Sequence, residues 1–204
     1  MVETKDRILD AAERLFGEQG YAETSLRHII ADAGVNLAAI HYHFGSKEDL
    51  LLQVVRRRVE PLNRDRLAML DGFEADAGAG PVAVEKLVEA FLAPAAHAAL
   101  RHPELMTLMG RMHAEGSMPA GIKNEFAPVI GRFLAAARKA LPDLPEPEFY
   151  LRLRAAGGAM AFTMLGAPAD SDDLSRRIRS LIVFLSGGLR APVAAPEKKV
   201  EVTK

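Results

Sequence analysis

The stretch that decides the fold is Thr24-Ser-Leu-Arg-His-Ile-Ile-Ala-Asp-Ala-Gly-Val-Asn-Leu-Ala-Ala-Ile-His-Tyr-His-Phe-Gly-Ser-Lys-Glu-Asp-Leu50. It reads as two short amphipathic helices joined by a glycine. In the first, Leu26, Ile29, Ile30 and Ala33 share a face, and Thr24 or Ser25 offers a side-chain oxygen to cap its start. Gly34 ends that helix, and Asn36 opens the second, which runs through Ile40 to Phe44. A helix-turn-helix needs a small residue where its helices touch, a turn residue tolerant of positive φ, and apolar residues that set the crossing. Ala31, Gly34 and the set Ile30, Val35 and Ile40 fill those roles. Such a pair holds its second helix outward at a size that fits the major groove of DNA.

Upstream, Ile8, Leu9, Ala12, Leu15 and Phe16 form one face of a helix that Gly20 terminates, completing a three-helix head. Downstream, Ser46 and Asp49 have the spacing of a capping box, with Asp in place of Glu. The helix they open carries Leu50, Leu51, Val54, Val55, Val59 and Leu62, and Pro61 is expected to kink or split it. Gly72 to Pro81 reads as a loop by composition. Further helices are expected over residues 82–100, 103–115, 119–141, 146–166 and 172–188, with a break from Gly166 to Asp173. No segment alternates with a period of two. The expectation is an all-α chain of about nine helices. A helix-turn-helix head would occupy residues 1–46, a helical effector-binding and dimerisation body 47–190, and a disordered tail 191–204.

Composition narrows the chemistry. The 204 residues are 49% hydrophobic and 26% charged, as suits a chain able to bury a core. With no cysteine, disulfides, thiolate metal sites and cysteine nucleophiles are excluded. No apolar run reaches the length of a membrane helix, and the charged start lacks a signal-peptide pattern, so a cytoplasmic protein is expected. A net charge of −1 argues against indiscriminate nucleic-acid binding but leaves room for a local site.

The run Ile-His-Tyr-His-Phe followed by Gly-Ser-Lys-Glu-Asp-Leu resembles the DNA-binding head of the TetR family of regulators, over about residues 4–55. One departure is His41, where the family usually carries Tyr. The resemblance implies phosphate contacts from Ser25 and Arg27, and a groove side made of Asn36, Leu37, Ala38, Ala39 and His41. It also implies backbone contacts from Tyr42 and His43, and from Lys47 at a helix N-terminus that favours anions. The triplet Arg56-Arg57-Arg58 is expected to be a solvated face.

The same resemblance implies a ligand-responsive repressor that binds a palindromic operator in double-stranded DNA as a homodimer. A small hydrophobic or amphipathic effector would release it, a fatty-acyl-type molecule being one candidate. Its pocket would draw on Phe91, Met106, Met109, Met112, Phe126, Ile130 and Phe133. Dimerisation falls to the last two helices, through Leu153, Gly157, Met160, Leu174, Ile178, Leu181, Ile182 and Leu185. No cofactor or metal is expected, because His97, His102 and His113 lack the spacing of a helical ligand pair. A helical enzyme or lipid carrier with a merely structural head stays open, though no catalytic constellation stands out.

Overall fold

The computed structural model describes residues 3–164 and 170–194. Among them are nine helices and no strand: α1 (Thr4–Gln19), α2 (Leu26–Ala33), α3 (Leu37–His43), α4 (Lys47–Ala77), α5 (Val84–Arg101), α6 (Pro103–Ala114), α7 (Ala120–Ala140), α8 (Glu146–Met164) and α9 (Ser171–Arg190). No described helix is long and apolar enough to cross a membrane. Part of the expected break at 166–173 and most of the expected tail lie outside the described residues.

Three apolar cores hold the helices together. The first joins α1, α2 and α3 to the first half of α4 and to α6, through Ile8, Phe16, Ile29, Ile40, Leu50, Val54, Leu105 and Met109. The second packs Leu70 of α4 against Leu87 and Ala90 of α5, Val129 and Phe133 of α7, and Phe149 of α8. The third sets α9 on α5, with Leu174, Ile178, Leu181 and Leu185 facing Val84, Val88, Leu92 and Ala96. α4 therefore belongs to both ends of the molecule.

One expectation about α4 is narrowed and one is corrected. It is not split at Pro61, which lies on its exposed side, and it continues through Gly72 to Ala77 before Gly78 caps it at φ 59°. Over 31 residues it spans about 46 Å. Long-range contacts explain why the glycine does not end it: Met69, Phe73 and Ala77 pack on the second core, while Arg132 pairs with Asp71 at 2.7 Å and Glu74 at 2.9 Å. Packing on one face and ion pairs on another outweigh a helix penalty of about 1 kcal/mol for one glycine.

Candidate nucleic-acid interface

Local capping shapes the head. Ser25, not Thr24, caps α2, accepting from the His28 N–H at 3.2 Å. Thr24 is fully buried, and its hydroxyl lies 3.1 Å from the Leu15 carbonyl and 2.8 Å from that of Gly20, pinning the chain behind α2. Gly34 takes the left-handed conformation, φ 61° and ψ 42°, and a Cβ there would also sit 2.8 Å from Arg7 Nη2. Arg7 donates to the carbonyls of Ala33 and, at 3.1 Å, Gly34, satisfying the end of α2 from α1. The turn therefore needs a glycine for its φ, and a Cβ there would also make the Arg7 guanidinium shift.

In α3, Ile40 is fully buried and Phe44 nearly so, anchoring one side of the helix. Leu37 (43% exposed), Ala38, His41 and Tyr42 (86% exposed) stand on the outer side. Ala39, half-buried, packs in part against the core beside Ile40. Asn36 caps α3 by accepting from the Ala39 N–H at 2.9 Å, which leaves its amide NH2 as the group able to reach outward. His41 Nδ1 lies 3.0 Å from the Gly45 carbonyl; since that oxygen only accepts, Nδ1 is the donor.

Ser46 caps α4, accepting from the Asp49 N–H at 3.0 Å, but the reciprocal half of the expected box is not made: the Ser46 N–H donates to the Phe44 carbonyl at 3.1 Å, and the Asp49 carboxylate accepts from the Ser46 hydroxyl at 2.6 Å instead. Lys47 folds back at the same helix start. Its Nζ lies 4.3 Å from the centre of the Tyr21 ring and donates to the Ala22 carbonyl at 3.3 Å. Burial there lowers its pKa below the usual lysine range. Arg27 is exposed on the first turn of α2. From Ser25 to Lys47 the segment holds two cations and three histidines against one acid, Asp32, which Arg14 of α1 engages, and Glu23 and Glu48 flank it.

The arginine triplet is not a solvated face. Arg56 pairs with Glu125 of α7, Arg57 with Asp10 at 2.8 Å and Glu13 at 2.6 Å, and Arg58 with Glu13 at 3.0 Å. His102, at the α5–α6 corner, stands 3.4 Å from the same Glu13. One buried carboxylate on α1 thus gathers α4 and the α5–α6 corner. Burial acts to raise the Glu13 pKa, but hydrogen bonds from Arg58 and Arg57 outweigh it and the net direction is down.

The body contains a cavity of about 210 Å³ between α5, α7, α8 and α9. Phe91, Ile130 and Phe133 line it as expected, joined by Leu87, Leu134, Ala137, Leu141 and Leu189, and every lining residue is apolar. Met109, Met112 and Phe126 do not line it, since they belong to the core beneath the head, and Met106 is half-buried elsewhere. Leu153, Gly157, Met160 and Leu185 do line the cavity. Leu174, Ile178, Leu181 and Leu185 are buried against α5 and so are not the outer face expected of them, while Leu153, Gly157, Met160 and Ile182 are half-buried. The apolar stripe of α9 was legible, but α5 and not a second chain occupies it. The outer face carries Leu151 and Phe162 of α8 and Val183 and Phe184 of α9, between 56% and 78% exposed.

A family model described as bacterial regulatory proteins of the tetR family matches residues 8–54, and one described as a tetracyclin repressor-like C-terminal domain matches residues 87–188. The chain belongs to the TetR family. Among curated TetR-type relatives it is 40% identical over 63 residues to the HTH-type transcriptional regulator BetI of Agrobacterium fabrum, a match covering 31% of each protein. It is 48% identical over 52 residues to AcrR of Shigella flexneri, covering 26% of this chain and 24% of AcrR. The chain thus spans less than a third of the length of these relatives. The TetR fold extends over nearly the whole chain. The TetR family transcriptional regulator PfmR of Thermus thermophilus superposes with a TM-score of 0.62 at 22% identity, covering 91% of this chain and 98% of PfmR. The fatty acid degradation regulator FadR of Bacillus halodurans gives 0.57 at 18% identity, covering 94% and 99%.

Sequence reasoning missed the Glu13 cluster and the buried pair Asn63 and Arg66. The latter had a readable signal: Val59, Leu62, Asn63, Arg66 and Leu70 follow the apolar register of α4, so a cation stands where that register calls for an aliphatic residue.

Proposed function

We propose that this TetR-family chain is a cytoplasmic, ligand-responsive transcriptional repressor. It binds a palindromic operator as a homodimer and leaves it when a small apolar or amphipathic effector occupies the body. The observation that carries this reading is α3 itself: a seven-residue helix pinned by fully buried Ile40 while Tyr42, 86% exposed, stands on its outer side. Ser25 and Arg27 would meet phosphates, the Asn36 NH2 and the outer face of Leu37, Ala38 and His41 would read base edges, and Tyr42 and His43 would hold the backbone. Lys47 would exchange the Tyr21 face for a phosphate, an exchange favoured because burial already weakens its charged form. The exposed side chains of Leu151, Phe162, Val183 and Phe184 support pairing of two chains through α8 and α9, and the apolar cavity lined in part by those helices supports an effector site.

In vitro selection of genomic fragments followed by footprinting tests the reading. A dyad is expected with half-sites about 34 Å apart or a close variant. Tyr42→Ala and Lys47→Ala should weaken binding without changing the helical signal, and Lys47→Ala should also lower the salt slope by about 1. A protected site without dyad symmetry, or unaltered affinity in both variants, would count decisively against it.

A further inference from the structure

Among the described residues Arg66, 6% exposed, is the one buried cation, and no carboxylate pairs with it. Nε donates to the Phe91 carbonyl at 2.9 Å, and Nη1 donates to Asn63 Oδ1 at 3.3 Å. Those bonds use two of the five N–H groups of a guanidinium. Burial pulls the pKa down to about 10, so the group keeps its charge at neutral pH. A buried charge without a counter-charge is strongly unfavourable, and carbonyl, amide and ring dipoles offset only part of the loss.

Phe91 links this cation to the cavity. The Arg66 guanidinium carbon lies 4.0 Å from the centre of its ring, and the same ring lines the chamber. One aromatic ring therefore separates a chamber lined by apolar residues from a cation without an anion. Pro94, three residues further along α5, supplies no N–H to the Ala90 carbonyl, so the backbone beside Phe91 is less constrained than an unbroken helix.

We propose that the chamber and Arg66 are two ends of one effector site, which takes an apolar carboxylic acid: the hydrocarbon fills the chamber and the carboxylate passes the edge of Phe91 to pair with Arg66. The inference rests on the cavity being the effector site and adds the charge of the ligand. A carboxylate matches the planar fork of one guanidinium, whereas a phosphate dianion would bury a second charge with no partner. An apolar cavity of about 150 Å³ already holds benzene, so 210 Å³ suits a substituted ring or a short alkyl chain.

Calorimetric titration of the full chain with octanoate, 1-octanol and octylammonium tests the proposal. Octanoate is expected to bind about 10- to 100-fold more tightly than 1-octanol, and octylammonium more weakly than both. Arg66→Met should reduce octanoate to the level of 1-octanol while leaving 1-octanol binding unchanged. In the wild-type chain, octanoate but not 1-octanol should shift a buried arginine Nε–H resonance, a readout that does not depend on any variant folding. Equal affinity for octanoate and 1-octanol, an octanoate preference that survives Arg66→Met, or a stationary resonance would overturn the role of Arg66 and leave the cavity reading standing. Binding of none of the three would overturn both.

Discussion

Gly17→Ala sets two well-characterised effects against each other at the seat of the head on the body. Gly17 is buried on α1 against the first turn of α6. A methyl group built there would collide with Glu104 Cβ and would lie 2.9 Å from the Glu104 carbonyl carbon and 3.0 Å from its Cα. Neither these main-chain atoms nor a Cβ can rotate away, so α1 and α6 must separate by roughly 1–1.5 Å to recover ordinary contact. Replacing a helical glycine with alanine stabilises the helix by about 0.5–1 kcal/mol. Overpacking a well-filled contact costs about 1–3 kcal/mol. Because the obstacle is main chain, overpacking wins, and a net loss of about 1–2 kcal/mol is expected. For a chain of this size that lowers Tm by roughly 2–8 °C, measurable by calorimetry or by the loss of helical circular dichroism. Gly72→Ala is the control: it lies exposed within α4, a Cβ there meets nothing within 4 Å, and the same propensity gain should raise Tm. If Gly17→Ala melts higher than wild type, α1 and α6 are not as closely apposed as described and the reasoning fails.

Acidification should loosen the same joint. Burial, aided by the Arg58 charge, lowers the His102 pKa, so the folded chain resists a proton that the unfolded chain accepts near 6.5, and stability declines as pH falls below that value. Glu13, whose pKa is depressed from 4.5, adds stability above that value that is lost as pH falls through its folded pKa. Thermal melts across pH 7 to 4 should show a shallower decline in His102→Ala, and an identical profile would remove His102 from the account. Gly34→Ala places a Cβ in the left-handed region, costing about 1–2 kcal/mol, and crowds the Arg7 guanidinium; a melt unchanged from wild type would contradict that geometry. Phe184→Asp puts a charge among the exposed apolar side chains of α9, and analytical ultracentrifugation should show monomer where the proposed pairing predicts a wild-type dimer. A dimer of undiminished affinity would move the interface elsewhere.

What the chain states locally, it states in residues a few positions apart. Ser25, Asn36 and Ser46 each cap the helix that follows by accepting from an N–H three residues on, and Gly34 turns the chain where only a residue without Cβ fits. Those bonds need no distant partner, so the head and the succession of helices are legible in the amino-acid order alone. One local signal misled, at Gly72, because distant side chains on α5 and α7 hold α4 together past it. The tertiary structure alone decided what each apolar stripe touches. Periodicity placed Leu174, Ile178, Leu181 and Leu185 on one face of α9, yet α5 claimed that face, and the face left open carries Val183 and Phe184. Likewise Met109 and Met112 went to the core beneath the head, while the cavity took part of its walls from α8 and α9. A stripe records only that a residue leaves water. Which helix receives it depends on how the described helices share a small volume, and that is settled by contacts between residues far apart in sequence.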